Sequence, residues 1–133
     1  MTDQSAPPDP PPPVAPAAIP LASVSRHERD GVIVASVQGE IDVSNAAQLF
    51  DELTQFSNQV LGLVVDLGGV EYLDTAGIAL LYDLHLRLKR REQSLVVVAP
   101  ALGAPRRVLE LTAFDTRVAL ADELDPAIAA ARG

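Results

Sequence analysis

The chain has 133 residues, a formal net charge of -8, 48% hydrophobic residues and only 4% aromatics. That length holds one domain with a real core, built from aliphatic side chains. The negative charge and the shortage of stacking rings argue against a nucleic-acid binder, and the lack of cysteine excludes disulfides, thiolate nucleophiles and Cys-based zinc sites.

Eight of the 11 prolines, Pro7, Pro8, Pro10 to Pro13, Pro16 and Pro20, fall in residues 1–20. Such a tract makes neither helix nor ladder hydrogen bonds, so a disordered, polyproline-II-leaning tail is expected ahead of a domain at 21–133. It reads better as a spacer than as a ligand for a proline-binding groove. Leu21 to Glu28 reads as a strand, Asp30-Gly31 as a two-residue hairpin turn, and Val32 to Val37 as a second strand paired antiparallel to the first. At Gly39-Glu40-Ile41-Asp42 the chain is expected to leave the sheet. Ser44 then caps a helix to about Phe56, with Ala47, Leu49, Phe50 and Leu53 as its apolar residues.

Leu61 to Leu67 has the length and β-branched content of a buried strand, and Gly68-Gly69 is expected to break it. From Thr75 the apolar spacing turns helical through Ile78, Leu81, Tyr82, His85 and Leu88, predicting a helix to about Glu92 with Asp74 as its N-cap. Gly77 removes a side chain from the first turn, which is read as room for a close-approaching partner. Arg87, Lys89, Arg90 and Arg91 fall where a helix C-terminus favours cations. Ser94 to Ala99 is a further strand closed by Pro100, and Pro105 opens a helix reaching Leu111 to Ala113. Arg117 to Leu120 reads as a last strand and Asp122 to Ala131 as a terminal helix. This order predicts an α/β fold: a mostly parallel five-stranded sheet with one antiparallel edge strand and four or five helices.

Catalytic constellations are scarce. His27 and His85 stand alone, and neither GxSxG, P-loop nor GxGxxG spacing is present. No catalytic residue, cofactor or metal site is expected, and the chain reads as a non-enzyme. Asp66 and Asp74 near a strand end invite comparison with magnesium-binding receiver domains. Those also need an acidic pair after the first strand and a late lysine, whereas the lone lysine here is Lys89, on the helix. Asp74 is better read as a cap, and Asp66 as a partner for the backbone through Gly68-Gly69. No apolar run approaches the ~18–20 residues of a membrane span, and the N-terminus lacks signal-peptide features, so a cytoplasmic protein is expected.

Val65 to Leu81, Val-Asp-Leu-Gly-Gly-Val-Glu-Tyr-Leu-Asp-Thr-Ala-Gly-Ile-Ala-Leu-Leu, resembles the signature of STAS domains, particularly the bacterial anti-sigma factor antagonists. Gly39-Glu40-Ile41-Asp42 is similar to the family's Gly-Glu-Leu-Asp turn, and Arg106 to Thr112 to its late Arg-x-Leu-Glu segment. The likeness spans roughly Ala22 to Ala131 and leaves the proline-rich tail outside. It implies the STAS fold and a binding module whose partner is an anti-sigma factor, usually a serine/threonine kinase with an ATP-binding fold. Binding would free a sigma factor for transcription. Phosphorylation at the start of the central helix would reverse it. Neither nucleic acid nor membrane insertion enters, and the expected state is a monomer or weak dimer.

The implied docking face comprises Gly39, Glu40, Ile41, Asp42 and Ser44 together with Leu73, Asp74, Thr75, Ala76 and Gly77. Where many members carry two hydroxyl residues after the Asp, this chain has Thr75 and Ala76. Thr75 is therefore the only hydroxyl left in the turn: either it is the acceptor, or the protein escapes phosphorylation and is regulated otherwise. Asp-Thr-Ala-Gly-x-Ala-Leu-Leu also resembles the STAS subunits of lipid-transport ABC systems, which dock on an ATPase subunit with no kinase involved. The Gly39–Asp42 turn and the Arg106–Thr112 segment favour the antagonists.

Overall fold

Asp30 and Gly31 take φ values of 56° and 82°, the two left-handed conformations that a two-residue type I′ turn requires. They join β1 (Ala22–Arg29) to β2 (Val32–Ile41) in an antiparallel pair, Arg29 opposite Val32 and Ala22 opposite Gly39. The computed structural model describes residues 21–133; the proline-rich segment, and the disordered tail expected for it, lie outside these residues.

Beyond the hairpin the order is α1 (Ala46–Phe56), β3 (Gly62–Leu73), α2 (Thr75–Arg90), β4 (Ser94–Val98), α3 (Ala104–Leu111), a 3-10 turn at Phe114–Thr116, β5 (Ala119–Ala121) and α4 (Leu124–Arg132). The five strands lie side by side in sequence order, with β2 through β5 parallel. The expected α/β architecture holds, with four α-helices.

Strand side chains alternate between faces, and each face has its own cover. Ile33, Ala35 and Val37 meet Leu49 and Leu53 of α1, Ile78, Leu81 and Leu84 of α2, Leu109 of α3 and Phe114. Val32, Val34, Val64 and Val96 face the other way, onto Ala127, Ile128 and Ala131 of α4. Strands buried on both faces are continuously apolar, which is why Val32–Ala35 and Leu63–Val65 show no polar alternation. Arg106 ties the last third together: it donates to the Ala99 carbonyl at 2.8 Å and pairs with Glu110 on its own helix and Asp122 before α4.

The structure departs from the sequence reading at the strand ends. Gly68-Gly69 does not end β3, which runs on to Leu73, and β2 does not leave the sheet at Gly39 but continues to Ile41. The two extensions pair with each other, Gly39 beside Val70 and Ile41 beside Leu73. The register shifts twice, so that β3 carries an extra residue at each bulge. Glycines that look like strand breakers are here what lets the strand bulge and continue. Ser44 is not a helix cap; α1 begins after Asn45. β5 falls two residues later than expected, and α4 begins only at Leu124.

Phe114 is fully buried, its ring centroid 4.9 Å from that of Tyr82, so it closes α3 and α2 over the sheet. Replacing it with Ala should cost about 3–5 kcal/mol of stability, read as a lower urea midpoint with an unchanged slope.

Candidate docking site

The extended ends of β2 and β3 deliver two short turns side by side. At the end of β3, the Asp74 N–H donates to the Ile41 carbonyl at 3.3 Å, holding the two turns together. The Asp74 carboxylate then accepts from the N–H groups of Ala76 at 2.9 Å and Gly77 at 3.3 Å. This is the N-cap the sequence predicts, and it satisfies two donors that α2 would otherwise leave open. Thr75, the first residue of α2, is exposed.

At the end of β2 the turn is closed by side chains. The Asn45 amide nitrogen donates to the Glu40 carbonyl at 2.9 Å, while its oxygen accepts from the Asp42 N–H at 3.0 Å. Asp42 in turn accepts from both the N–H and the hydroxyl of Ser44. The Ser44 hydroxyl first, and its N–H second, hold the Asp42 carboxyl below the usual carboxylate range. Gly39 enters this turn at φ 108° with its α-carbon against the Leu21 carbonyl, a place where any β-carbon would collide with backbone. Glu40 N–H donates to that same carbonyl at 2.9 Å.

The residues of the expected face divide in two. Glu40, Ser44 and Thr75 are exposed, and Gly39, Asp42, Asp74 and Ala76 are partly so. Ile41, Leu73 and Gly77 are buried. A β-carbon on Gly77 would run into Leu73 and come within 3.0 Å of Ile41 Cγ2. The space left by Gly77 is therefore filled from inside, by Leu73 and Ile41, and is not an opening to a partner. Two exposed apolar residues flank the turns instead: Val43 at 82% exposure and Tyr72 at 50%, the latter beside Glu40 in the sheet. Taking Gly68-Gly69 as a strand end hid Tyr72, since only a continuing strand sets it on an exposed position. Asn45 was hidden behind Ser44 as the more familiar cap.

Asp66 accepts from the Gly68 N–H at 2.8 Å, the role read for it from the sequence. No group of three or more potential metal ligands occurs among the described residues. His85 is half-buried on α2; burial, and then the charge of Lys89, hold its imidazole below its usual range, as suits a packing residue. No described helix is long and apolar enough to cross a membrane.

A parallel sheet with an antiparallel edge strand, a bulged central pair and an Asp-capped helix presenting a hydroxyl defines a distinct class of α/β domain. Comparison with known proteins makes this specific: the STAS domain model matches residues 23–130, and the chain belongs to the STAS domain family. BtrV of Bordetella bronchiseptica, named as a candidate anti-sigma factor antagonist, is 33% identical over 104 residues, 76% of this chain and 87% of BtrV. The anti-sigma-F factor antagonist RsfB of Mycobacterium tuberculosis is 29% identical over 112 residues, 84% of this chain and 90% of RsfB. An anti-sigma factor antagonist from Mycobacterium paratuberculosis superimposes with a TM-score of 0.71 at 32% identity, covering 84% of this chain and 95% of that one.

Asp74→Ala removes the cap and should lower stability by about 1 kcal/mol, measurable by thermal unfolding, with amide exchange faster at Ala76 and Gly77 than in the body of α2. Ser44→Ala should raise the Asp42 carboxyl toward its ordinary range in a carbon-detected NMR titration. The sign follows from a folded-state value lying below the unfolded one. The ordered turn draws full support from ionised Asp42 above the unfolded value and loses it as pH falls through the folded one.

Proposed function

We propose that this chain is an anti-sigma factor antagonist, binding an anti-sigma factor through the paired turns at Gly39–Asn45 and Leu73–Ala76 and so releasing a sigma factor. We further propose that the partner is a cytoplasmic kinase-fold protein and that phosphorylation of Thr75 dissolves the complex. The observation that carries this reading is exposed Thr75 at the first position of a helix whose Ala76 and Gly77 N–H groups are already taken by Asp74.

The switch follows from electrostatics. The kinase would transfer the γ-phosphoryl of ATP to Thr75 Oγ1, the hydroxyl proton passing to a base and ADP leaving. The phosphate adds about 1.5 to 2 negative charges beside the Asp74 carboxylate, Glu40 and Asp42. In the free protein the helix dipole and water offset that charge. In a closed interface neither does, so the cost falls on the complex. Ala76, with no hydroxyl, leaves Thr75 as the acceptor in this turn.

Thr75→Glu should weaken binding to the anti-sigma factor by at least about tenfold, while stability moves by less than about 0.5 kcal/mol. A pull-down from the host, with the mass of recovered Thr75 peptides recorded, identifies the partner. Equal affinity of the Glu variant and the unmodified protein would sink the switch. Recovery of an ABC ATPase in place of a kinase-fold protein would move the chain to the transport subunits.

A further inference from the structure

Beside Thr75, on the exposed side of the helix pair, α1 and α2 leave an open groove of about 360 Å³. Alanines line it, Ala47 from α1 and Ala76 and Ala79 from α2, together with Phe50, the buried Leu80 and the exposed Asp51 and Asp83. Alanines at this spacing on two packed helices let a third backbone approach more closely than larger residues would. The two aspartates are exposed and available. The ion pairs among the described residues engage Asp122, Asp125 and Glu110, and neither Asp51 nor Asp83. Lys89 and Arg90 lie in the last turn of α2, beyond the groove, and Arg87, one helical turn from Asp83, forms no ion pair with it.

We propose that this groove seats an amphipathic helix of the partner, one that sets small or aliphatic side chains against the alanine and leucine lining and an Arg or Lys against each of Asp51 and Asp83. Charge decides the occupant. An apolar slot with two unpaired carboxylates in its lining, in a chain of net charge -8, selects a basic helix and repels an acidic one. Asp51 and Asp83 become specificity-determining residues outside the two turns. The groove shares Ala76 with the site containing Thr75, so both belong to one footprint. This inference rests on the docking reading above, and adds to it the chemistry of the segment that docks.

The test uses the full chain and two helical peptides of about 18 residues, long enough to hold a helix. They are identical except that one carries Arg and the other Glu beside a Leu/Ala stripe. The Arg peptide should shift the amide signals of Ala47, Ala76 and Ala79, and the Glu peptide should not. Asp51→Asn with Asp83→Asn should weaken the Arg peptide about tenfold or more and flatten its salt dependence. The control pair Glu123→Gln and Asp125→Asn, near α4, should change it less than twofold.

Equal loss in both pairs would mean attraction to net charge alone and would overturn the proposal, as would shifts centred elsewhere. Removal of residues 1–20 raising the Arg peptide's affinity about tenfold would make the chain's own segment the occupant and also overturn it. The peptides involve neither kinase nor anti-sigma factor. Failure here therefore leaves the Thr75→Glu result standing, and failure of the phosphorylation switch leaves this one standing.

Discussion

Asp74 joins the sheet to the helix at the place where both would otherwise end with open hydrogen-bonding groups. Its backbone N–H reaches the Ile41 carbonyl, and its carboxylate takes the first donors of α2. One residue thus closes the end of β2, the end of β3 and the start of α2. Remove the carboxylate, and α2 begins with unpaired N–H groups next to a turn held only through backbone. The placement of Thr75 depends on this junction, since a first-turn residue is only as ordered as its cap. Ile41, Leu73 and Gly77 pack underneath as the solid base of the same junction.

Charge and packing are separated along the molecule. The β2–α1 turn and the β3–α2 turn carry Glu40, Asp42 and Asp74, while α2 ends in Arg87, Lys89 and Arg90. The basic end complements the helix dipole and calls for no ligand. The acidic end is another matter. Carboxylates near a helix N-terminus are favourable for the dipole, and here they also set the field met by anything that approaches the two turns.

Most of the fold was legible because its strands and helices obey their own periods. Asp30-Gly31, the Leu63–Val65 run, the Asp74 cap and Pro105 at the start of α3 each follow from local chemistry, and the structure agrees at each. What was not legible depended on pairing. Gly68-Gly69 looks like a break until β2 is known to extend alongside it, because a bulge is a property of two strands and not of one. The same holds for Gly77. Locally a glycine in a first turn reads as an opening, and only the positions of Ile41 and Leu73 reveal that the space is used from within. Asn45 bonds both Glu40 and Asp42 across the turn, an arrangement set by the turn's geometry that no spacing rule announces.

Ala76 connects the chemistry of the switch with that of the groove. The resemblance places a second hydroxyl at this position in many members; this chain has a methyl group that lines the groove while its N–H is held by Asp74. A hydroxyl there would put a polar atom, and a phosphate there a full charge, among the alanines of the lining. With Ala76 the lining there stays apolar, and the modifiable group lies one residue away, at an exposed position. Neighbouring positions on a helix point about 100° apart, so Thr75 and Ala76 address different parts of an approaching surface. On the proposed reading, phosphate on Thr75 changes the charge of the site while Ala76 keeps the groove's lining apolar. Under that proposal the two roles fall to two neighbouring residues.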